Sequence, residues 1–148
     1  MTGSSNADQG AARGPRRVRW ALVALLVLVA VNAVYGGIGL MVDGIGMPSD
    51  WLTGTPFDSW LLPGLALLAT VAVPQAVVAG MVIAGHRRAA LAAVLAGAGL
   101  VAWIVVQALV LRRYFFLQPV IAALGAVQWA LAWWWLTRWR RDGTTPGR

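Results

Sequence analysis

Four long apolar runs dominate the chain, and each has the length of a membrane-crossing helix. They cover about residues 20–41, 61–84, 89–111 and 119–136. About 20 apolar residues in an α-helix cross the hydrocarbon core of a bilayer. Arg clusters and short polar segments separate the runs. The pattern predicts an all-α membrane protein whose four transmembrane helices form an antiparallel bundle.

The first run has an alternative interpretation as a cleavable signal peptide. Basic residues precede it, and Val31-Asn32-Ala33 resembles a weak cleavage site. The apolar run continues past this site through Tyr35 and Leu40, whereas the apolar region of a signal peptide usually ends after about 7–15 residues. We therefore expect the first run to be retained as a membrane span.

The segments around the runs give the domain organisation. Residues 1–17, rich in Gly, Ala, Ser and Asn, are predicted to form a disordered basic tail, and residues 138–148 form a second basic tail. The transmembrane domain is predicted over residues 18–137. Its one long loop, residues 42–60, is acidic, and Pro48 to Leu52 in this loop is expected to form a short helical turn.

Two features inside the runs concern helix shape and packing. Pro74 is predicted to kink the second helix near Thr70, because proline cannot donate to the carbonyl four residues earlier. Small residues also recur every four positions, which places each set on one helical face and permits close helix contact in lipid. These strips are Ala72, Ala76, Gly80 and Ala84; Ala89, Ala93 and Gly97; and Ala122, Ala126 and Ala130. We expect the strips to pack within the bundle.

The positive charges predict the orientation. The net charge is +7, and every basic residue apart from the single His is Arg. With the N-terminus inside, ten Arg residues lie on the cytoplasmic side, and only Arg112 and Arg113 lie outside. This bias predicts a multi-pass protein of the cytoplasmic (inner) membrane with both termini inside. No nucleic-acid partner is expected, since the Arg clusters are not interleaved with stacking aromatics on a soluble surface.

Four polar residues at membrane depth form the first candidate cluster: Asn32, Thr70, Gln75 and Gln128. None of them ionises, whereas intramembrane function usually uses ionisable groups. We predict that all four face the bundle interior and form hydrogen bonds between helices. A polar substrate pocket is the alternative.

The second candidate cluster lies at the predicted outer face. It consists of Asp43, Asp50 and Asp58 from the long loop and Arg112 and Arg113 from the end of the third helix. We expect the loop to fold over the bundle so that at least one Asp pairs with an Arg. The alternative is that both Arg residues are solvated anchors, because exposed ion pairs contribute only about 0–1 kcal/mol.

Several kinds of chemistry have no support in the sequence. The chain has no Cys, which excludes disulfides, thiolate metal sites and Cys nucleophiles, and its only His is His86. Gly-rich phosphate loops and the Gly-x-Ser-x-Gly turn of serine hydrolases do not occur. We predict no catalytic, cofactor-binding or metal-binding residues, no cofactor and no enzymatic activity.

Short motifs add a resemblance. Thr55-Pro56-Phe57 precedes Leu62-Pro63-Gly64, and residues 103–107 (Trp-Ile-Val-Val-Gln) precede Leu117-Gln118-Pro119. Together they resemble a group of small four-helix bacterial membrane proteins of unknown function, over about residues 34–136. The resemblance implies the same four-helix architecture and no activity.

Three functions fit these observations. A non-enzymatic accessory or scaffold component, in contact with membrane lipids and with another membrane protein or itself, is favoured by the lack of ionisable groups at membrane depth. The alternative is a small-molecule or lipid transporter acting as an oligomer. A lipid-modifying enzyme would need the outer carboxylates to converge in a cleft.

Overall fold

A computed structural model describes residues 5–111 and 117–142, with side chains for residues 16–110 and 118–138, and this part of the chain is helical without strands. The α-helices are α1 (Ser5–Asp43), α2 (Leu61–Leu67), α3 (Val73–Ile83), α4 (Ala89–Leu111) and α5 (Leu117–Asp142). A π-helical turn, Leu68–Ala72, joins α2 to α3, and these three elements form the second span.

Four segments are long and apolar enough to cross a membrane, as the sequence predicts. They are Arg16–Gly46, Leu61–Ile83, Ala89–Val110 and Gln118–Arg138. The predicted bounds of the inner two helices agree with the structure to within one residue.

The outer two helices extend further than predicted. α1 begins at Ser5 instead of near residue 20, so residues 5–17 are helical where composition indicates a disordered tail, and α5 continues to Asp142 instead of ending at residue 136. A run of apolar residues identifies only the part of a helix that contacts lipid or the protein core. Once a span has nucleated the helix, adding further turns costs little, and such turns carry no apolar signal.

Two apolar clusters fill the space between the helices. Every span contributes to the first cluster, which consists of Leu22, Val23, Leu26, Val78, Ala79, Val82, Ala89, Ala93, Val94 and Ala132. The second cluster consists of Val29, Ala33, Val71, Ala72 and Leu100. α1 packs against the second span and α5, and α4 packs against the same two neighbours, so the four spans form a closed ring.

Glycines allow two of these helix pairs to approach closely. A Cβ added at Gly64 would lie 2.6 Å from the carbonyl oxygen of Gly37, which places α1 and α2 in backbone contact. A Cβ added at Gly97 would lie 2.9 Å from the backbone nitrogen of Trp129, which does the same for α4 and α5. The crossing of α1 and α2 has glycine on both helices, whereas at the crossing of α4 and α5 only Gly97 lacks a side chain and packs against Trp129.

The small-residue strips divide between the inside and the outside of the ring. Ala89, Ala93 and Gly97 of α4 are buried, as predicted. The other strips are mostly exposed: Ala76, Gly80 and Ala84 in the second span, and Ala126 and Ala130 in α5. The prediction that all strips pack within the bundle is therefore wrong for these two, because an Ala-rich helix has small residues on several faces, and other small residues, Ala79 in the second span and Ala132 in α5, face the core instead.

The loop between α1 and α2 is compact. Gly44 and Gly46 adopt positive φ, as does Ile45 (φ 55°) between them, and the Asp43 carboxylate accepts a hydrogen bond from the Ile45 N–H at 2.9 Å. Gly44 is buried against the Trp60 ring, where a Cβ would lie 2.7 Å from Cδ1. Ser49–Leu52 forms a 3₁₀ turn, which confirms the predicted helical turn in the loop.

Candidate functional site

The second span changes its helical geometry next to Pro74. Pro74 has no N–H, so the carbonyl of Thr70 loses its helical donor. The preceding residues form the π turn Leu68–Ala72, in which the Val73 N–H donates to the carbonyl of Leu68, five residues earlier. The predicted irregularity near Thr70 is thus a widened turn. Such π turns are frequent at functional sites.

A groove lies beside this turn, between the second span and α4. Its volume is about 370 Å³, within the range of roughly 300–1,000 Å³ found for small-molecule sites. The second span contributes Thr70, Val71, Pro74, Gln75 and Val78, and α4 contributes Ala92, Leu95, Ala96, Gly99 and Leu100. Thr70, Leu95 and Gly99 are exposed, so the groove opens on the outer surface of the helices.

Gln75 connects the second span to α4. Its side chain is 1% exposed, and Nε2 donates to the Ala96 carbonyl of α4 at 3.5 Å, which is a long hydrogen bond. Oε1 is buried and has no hydrogen-bond partner among the described residues. A buried amide oxygen without a partner is costly in an apolar bundle.

Gln128 of α5 is the second buried amide. It is 0% exposed, and neither Nε2 nor Oε1 has a partner within the described part of the chain. Gln128 lies four residues before Ala132 of the first apolar cluster, and Gln75 lies between Val71 and Val78 of the two clusters. The burial of Gln75 and Gln128 confirms that these two side chains face the bundle interior. Only Gln75 forms the predicted hydrogen bond between helices, since Gln128 has no partner among the described residues.

The prediction is wrong for Asn32 and Thr70, which are both exposed. Asn32 Nδ2 donates to the carbonyl of Leu28 at 2.9 Å, and Thr70 Oγ1 donates to the carbonyl of Ala66 at 2.7 Å. Each bond runs to the residue four positions earlier in the same helix, so neither donor needs a neighbouring helix. The four polar residues therefore do not form one cluster.

Arg19 has a structural role that the charge pattern does not reveal. Its Nε donates to the carbonyl of Val82 at 3.0 Å, and its Nη2 donates to the carbonyl of Ile83 at 2.8 Å. Both carbonyls lie in the last turn of α3, beyond the reach of its own N–H groups, and the Val82 carbonyl also accepts the N–H of Gly85 in the following turn at 3.2 Å. A guanidinium also interacts favourably with the negative end of a helix dipole. The signal available in the sequence is only a basic residue at the end of an apolar run.

A smaller cavity of about 110 Å³ adjoins Arg19. It is lined by Arg19, Gly85, His86, Arg87, Ala90 and Trp135. His86 Nδ1 accepts a hydrogen bond from the backbone N–H of Arg88 at 3.2 Å, which stabilises the turn between α3 and α4. The cavity thus lies at the end of the ring where Arg19, Arg87 and the only His come together.

The outer-face cluster is described only in part. Asp43 ends α1 and caps the following turn, Asp50 lies in the 3₁₀ turn, and Asp58 is exposed further along the loop. Arg112 and Arg113 lie outside the described residues, so the pairing of a loop carboxylate with either of them stays a prediction. Among the described residues no group of three His, Asp or Glu side chains is arranged to hold a metal ion.

Comparison with protein-family models, curated proteins and solved structures finds no match to this chain. The resemblance to small four-helix bacterial membrane proteins therefore stays a prediction. The candidate sites rest on the geometry of the chain alone.

Proposed function

We propose that the protein is a non-enzymatic accessory or scaffold component of a bacterial inner membrane, which binds a helix of another membrane protein or of a second copy. The observation that supports this is the exposed strip of Ala76, Gly80 and Ala84 on the second span. Nothing lies within 4 Å of a Cβ added at Gly80. In lipid, such strips bring helix backbones together, and this one is exposed on the described part of the chain.

The strip and the core lie on different faces of the second span. Gly80 follows Gln75 by five residues, which turns it about 140° around the helix from that buried side chain. A partner helix on the strip would therefore leave the ring of four helices intact. The exposed Ala126 and Ala130 of α5 offer a second face of the same kind.

Site-specific photo-crosslinking in cells tests the partner. A photoreactive residue at Ala76 is expected to give a discrete product of higher mass, and Gly80→Leu is expected to abolish it, because the leucine holds the helices apart. The matched control is a photoreactive residue at Val105, an exposed apolar position of α4. Crosslinks to lipid only, or equal products from Ala76 and Val105, would contradict the proposal. Two differently tagged copies distinguish self-association from a different partner.

The proposed topology is antiparallel with both termini in the cytoplasm. Arg19, early in α1, contacts the end of α3, whereas Gly37, late in α1, contacts Gly64 at the start of α2. Gly97 of α4 lies against Trp129, while Leu100 lies against Gly125, earlier in α5. Both pairs of contacts support opposite helix directions, and the ten-to-two distribution of Arg supports the inside position of the termini.

Single Cys substitutions test this topology on a chain that has no native Cys. In intact cells, Ser49→Cys in the loop is expected to react with a membrane-impermeant maleimide, and Thr137→Cys near the end of α5 is expected to react only after the membrane is permeabilised. The reverse pattern would refute the topology, and labelling of neither site before permeabilisation would refute the outer position of the loop.

The groove beside Pro74 favours one alternative, a small-molecule or lipid transporter acting as an oligomer. A transporter would move its substrate across liposomes that contain only this protein, whereas a scaffold would not. Loss of such flux in Gly99→Leu but not in Gly80→Leu would support transport over the accessory function, because Gly99 lines the groove and Gly80 does not.

A further inference from the structure

We propose that the smaller cavity, at the end of the ring beside Arg19, binds the phosphate of an anionic phospholipid. This inference does not rest on the proposed partner helix, because Ala76 and Gly80 do not line the cavity. The guanidinium groups of Arg19 and Arg87 line one space of about 110 Å³ together with His86. A water molecule needs only about 10–15 Å³, so the cavity has room for a group of the size of a phosphate.

The positive charges around the cavity have no anionic partner among the described side chains. The carboxylates in this part of the chain, those of Asp43, Asp50 and Asp58, lie on the loop at the opposite end of the ring. Arg19 donates only to backbone carbonyls, and the end of a helix carries roughly half of an elementary negative charge. Arg87 is exposed and forms no hydrogen bond or ion pair with another described side chain. Both guanidinium groups would therefore attract an anion into the cavity.

The lining residues also offer hydrogen-bond donors that match phosphate oxygens. Arginine carries five N–H groups in a planar fork, and Arg19 uses only some of them on the end of α3, so the others are available to a ligand. His86 accepts a hydrogen bond at Nδ1, which places the proton of the neutral ring on Nε2 and makes that nitrogen a donor. Ala90 lines the cavity in the first turn of α4, so the positive end of this helix adjoins the same space.

The level of the cavity favours a lipid over a soluble phosphate compound. The cavity lies at the turn 84–88, between Leu61–Ile83 and Ala89–Val110, two of the segments that could cross a membrane. Its lining therefore joins a charged turn to the ends of apolar helices. Trp135 contributes a half-buried ring, and tryptophan is enriched at the level of the lipid headgroups. A phosphate bound here would leave its acyl chains beside the apolar surface of the helices.

The charge of the site favours an anionic headgroup. A zwitterionic headgroup would bring its own cation close to Arg19 and Arg87, where like charges repel. With both termini inside, as proposed, this end of the ring faces the cytoplasm, and the cytoplasmic leaflet carries anionic lipids. Basic pockets between transmembrane helices on that side bind such headgroups. Phosphatidylglycerol, whose single negative charge lies on its phosphate, is the simplest ligand of this class.

Native mass spectrometry of the full-length protein in a neutral detergent tests the site. The probes are phosphatidylglycerol and phosphatidylcholine with identical acyl chains, and inorganic phosphate is the soluble competitor. One phosphatidylglycerol is expected to bind more tightly than phosphatidylcholine and to stay bound in excess inorganic phosphate. Arg87→Gln should weaken the binding of phosphatidylglycerol about tenfold, the factor that one hydrogen bond to a charged group supplies.

Arg88→Gln is the matched control for the loss of charge. Arg88 is exposed like its neighbour Arg87 but does not line the cavity, so its removal should change binding by no more than about twofold. Both side chains are exposed, and both variants should keep the unfolding midpoint of the wild type. Equal weakening by the two variants would show only a general attraction of anionic lipid to this end of the ring, and it would overturn the site.

Three further outcomes decide the nature of the ligand and its independence from the partner helix. Equal binding of phosphatidylcholine would overturn the preference for an anionic headgroup. Displacement of phosphatidylglycerol by inorganic phosphate would assign the cavity to a soluble phosphate compound and overturn the lipid proposal. Gly80→Leu should lose the Ala76 crosslink and keep its phosphatidylglycerol, because Gly80 lies outside the cavity. Loss of both in this variant would overturn a separate lipid site.

Discussion

Gly64→Leu is expected to lower the free energy of unfolding by about 3 kcal/mol, near the upper end of the usual cost of overpacking. Even the Cβ of the new side chain would lie 2.6 Å from the Gly37 carbonyl oxygen and 2.7 Å from Met41 Cγ. The first of these atoms belongs to the backbone, so α1 must move away from α2. The movement would disrupt the second apolar cluster, because Leu67 and Leu68 pack against it.

Equilibrium unfolding with increasing SDS in mild-detergent micelles, followed by far-UV circular dichroism, measures this effect. Gly80→Leu is the matched control, since a Cβ at Gly80 meets nothing within 4 Å. Leucine has a better helix propensity than glycine, by up to about 1 kcal/mol, so the control is expected to be unchanged or slightly more stable. Equal stability of Gly64→Leu and Gly80→Leu would show that the close crossing of α1 and α2 is absent.

Arg19→Ala is expected to lower the free energy of unfolding by about 2 kcal/mol. Hydrogen bonds to charged groups contribute about 1.5–3 kcal/mol each, and the partial exposure of this pair reduces their sum. The variant leaves the carbonyls of Val82 and Ile83 without the guanidinium donors. The end of α3 should then fray, and hydrogen exchange of its last turn should accelerate.

Two other substitutions distinguish the hydrogen bonds that Arg19 donates to the end of α3 from the effect of its positive charge. Arg17 is exposed and two residues away, so Arg17→Ala removes the same positive charge and is expected to change stability by no more than about 0.5 kcal/mol. Arg19→Lys keeps the charge but lacks the planar fork that reaches two carbonyls, so its stability should fall between wild type and Arg19→Ala. If Arg17→Ala and Arg19→Ala destabilise equally, then Arg19 acts only through its charge.

The irregular turn at Pro74 is predictable from the sequence, whereas the space beside it depends on the neighbouring helix. Pro74 and its effect near Thr70 follow from the missing N–H, which is a local property. The same proline permits a widened turn or a sharp kink, and the neighbouring helices decide between them. The space beside Pro74 exists because Ala92, Ala96 and Gly99 of α4 face this turn, and no sequence pattern in one helix specifies what a second helix presents to it.

The sequence by itself determined the four segments that are long and apolar enough to cross a membrane, because this property depends on the length and hydropathy of each segment alone. Only the tertiary structure decided which face of each helix lies inside. Asn32 and Gln75 are both amides within these apolar helices, yet Asn32 bonds to its own helix on the surface of the bundle while Gln75 is buried against α4. That choice depends on the rotation of each helix about its axis, which is set by the close crossings at Gly64 and Gly97.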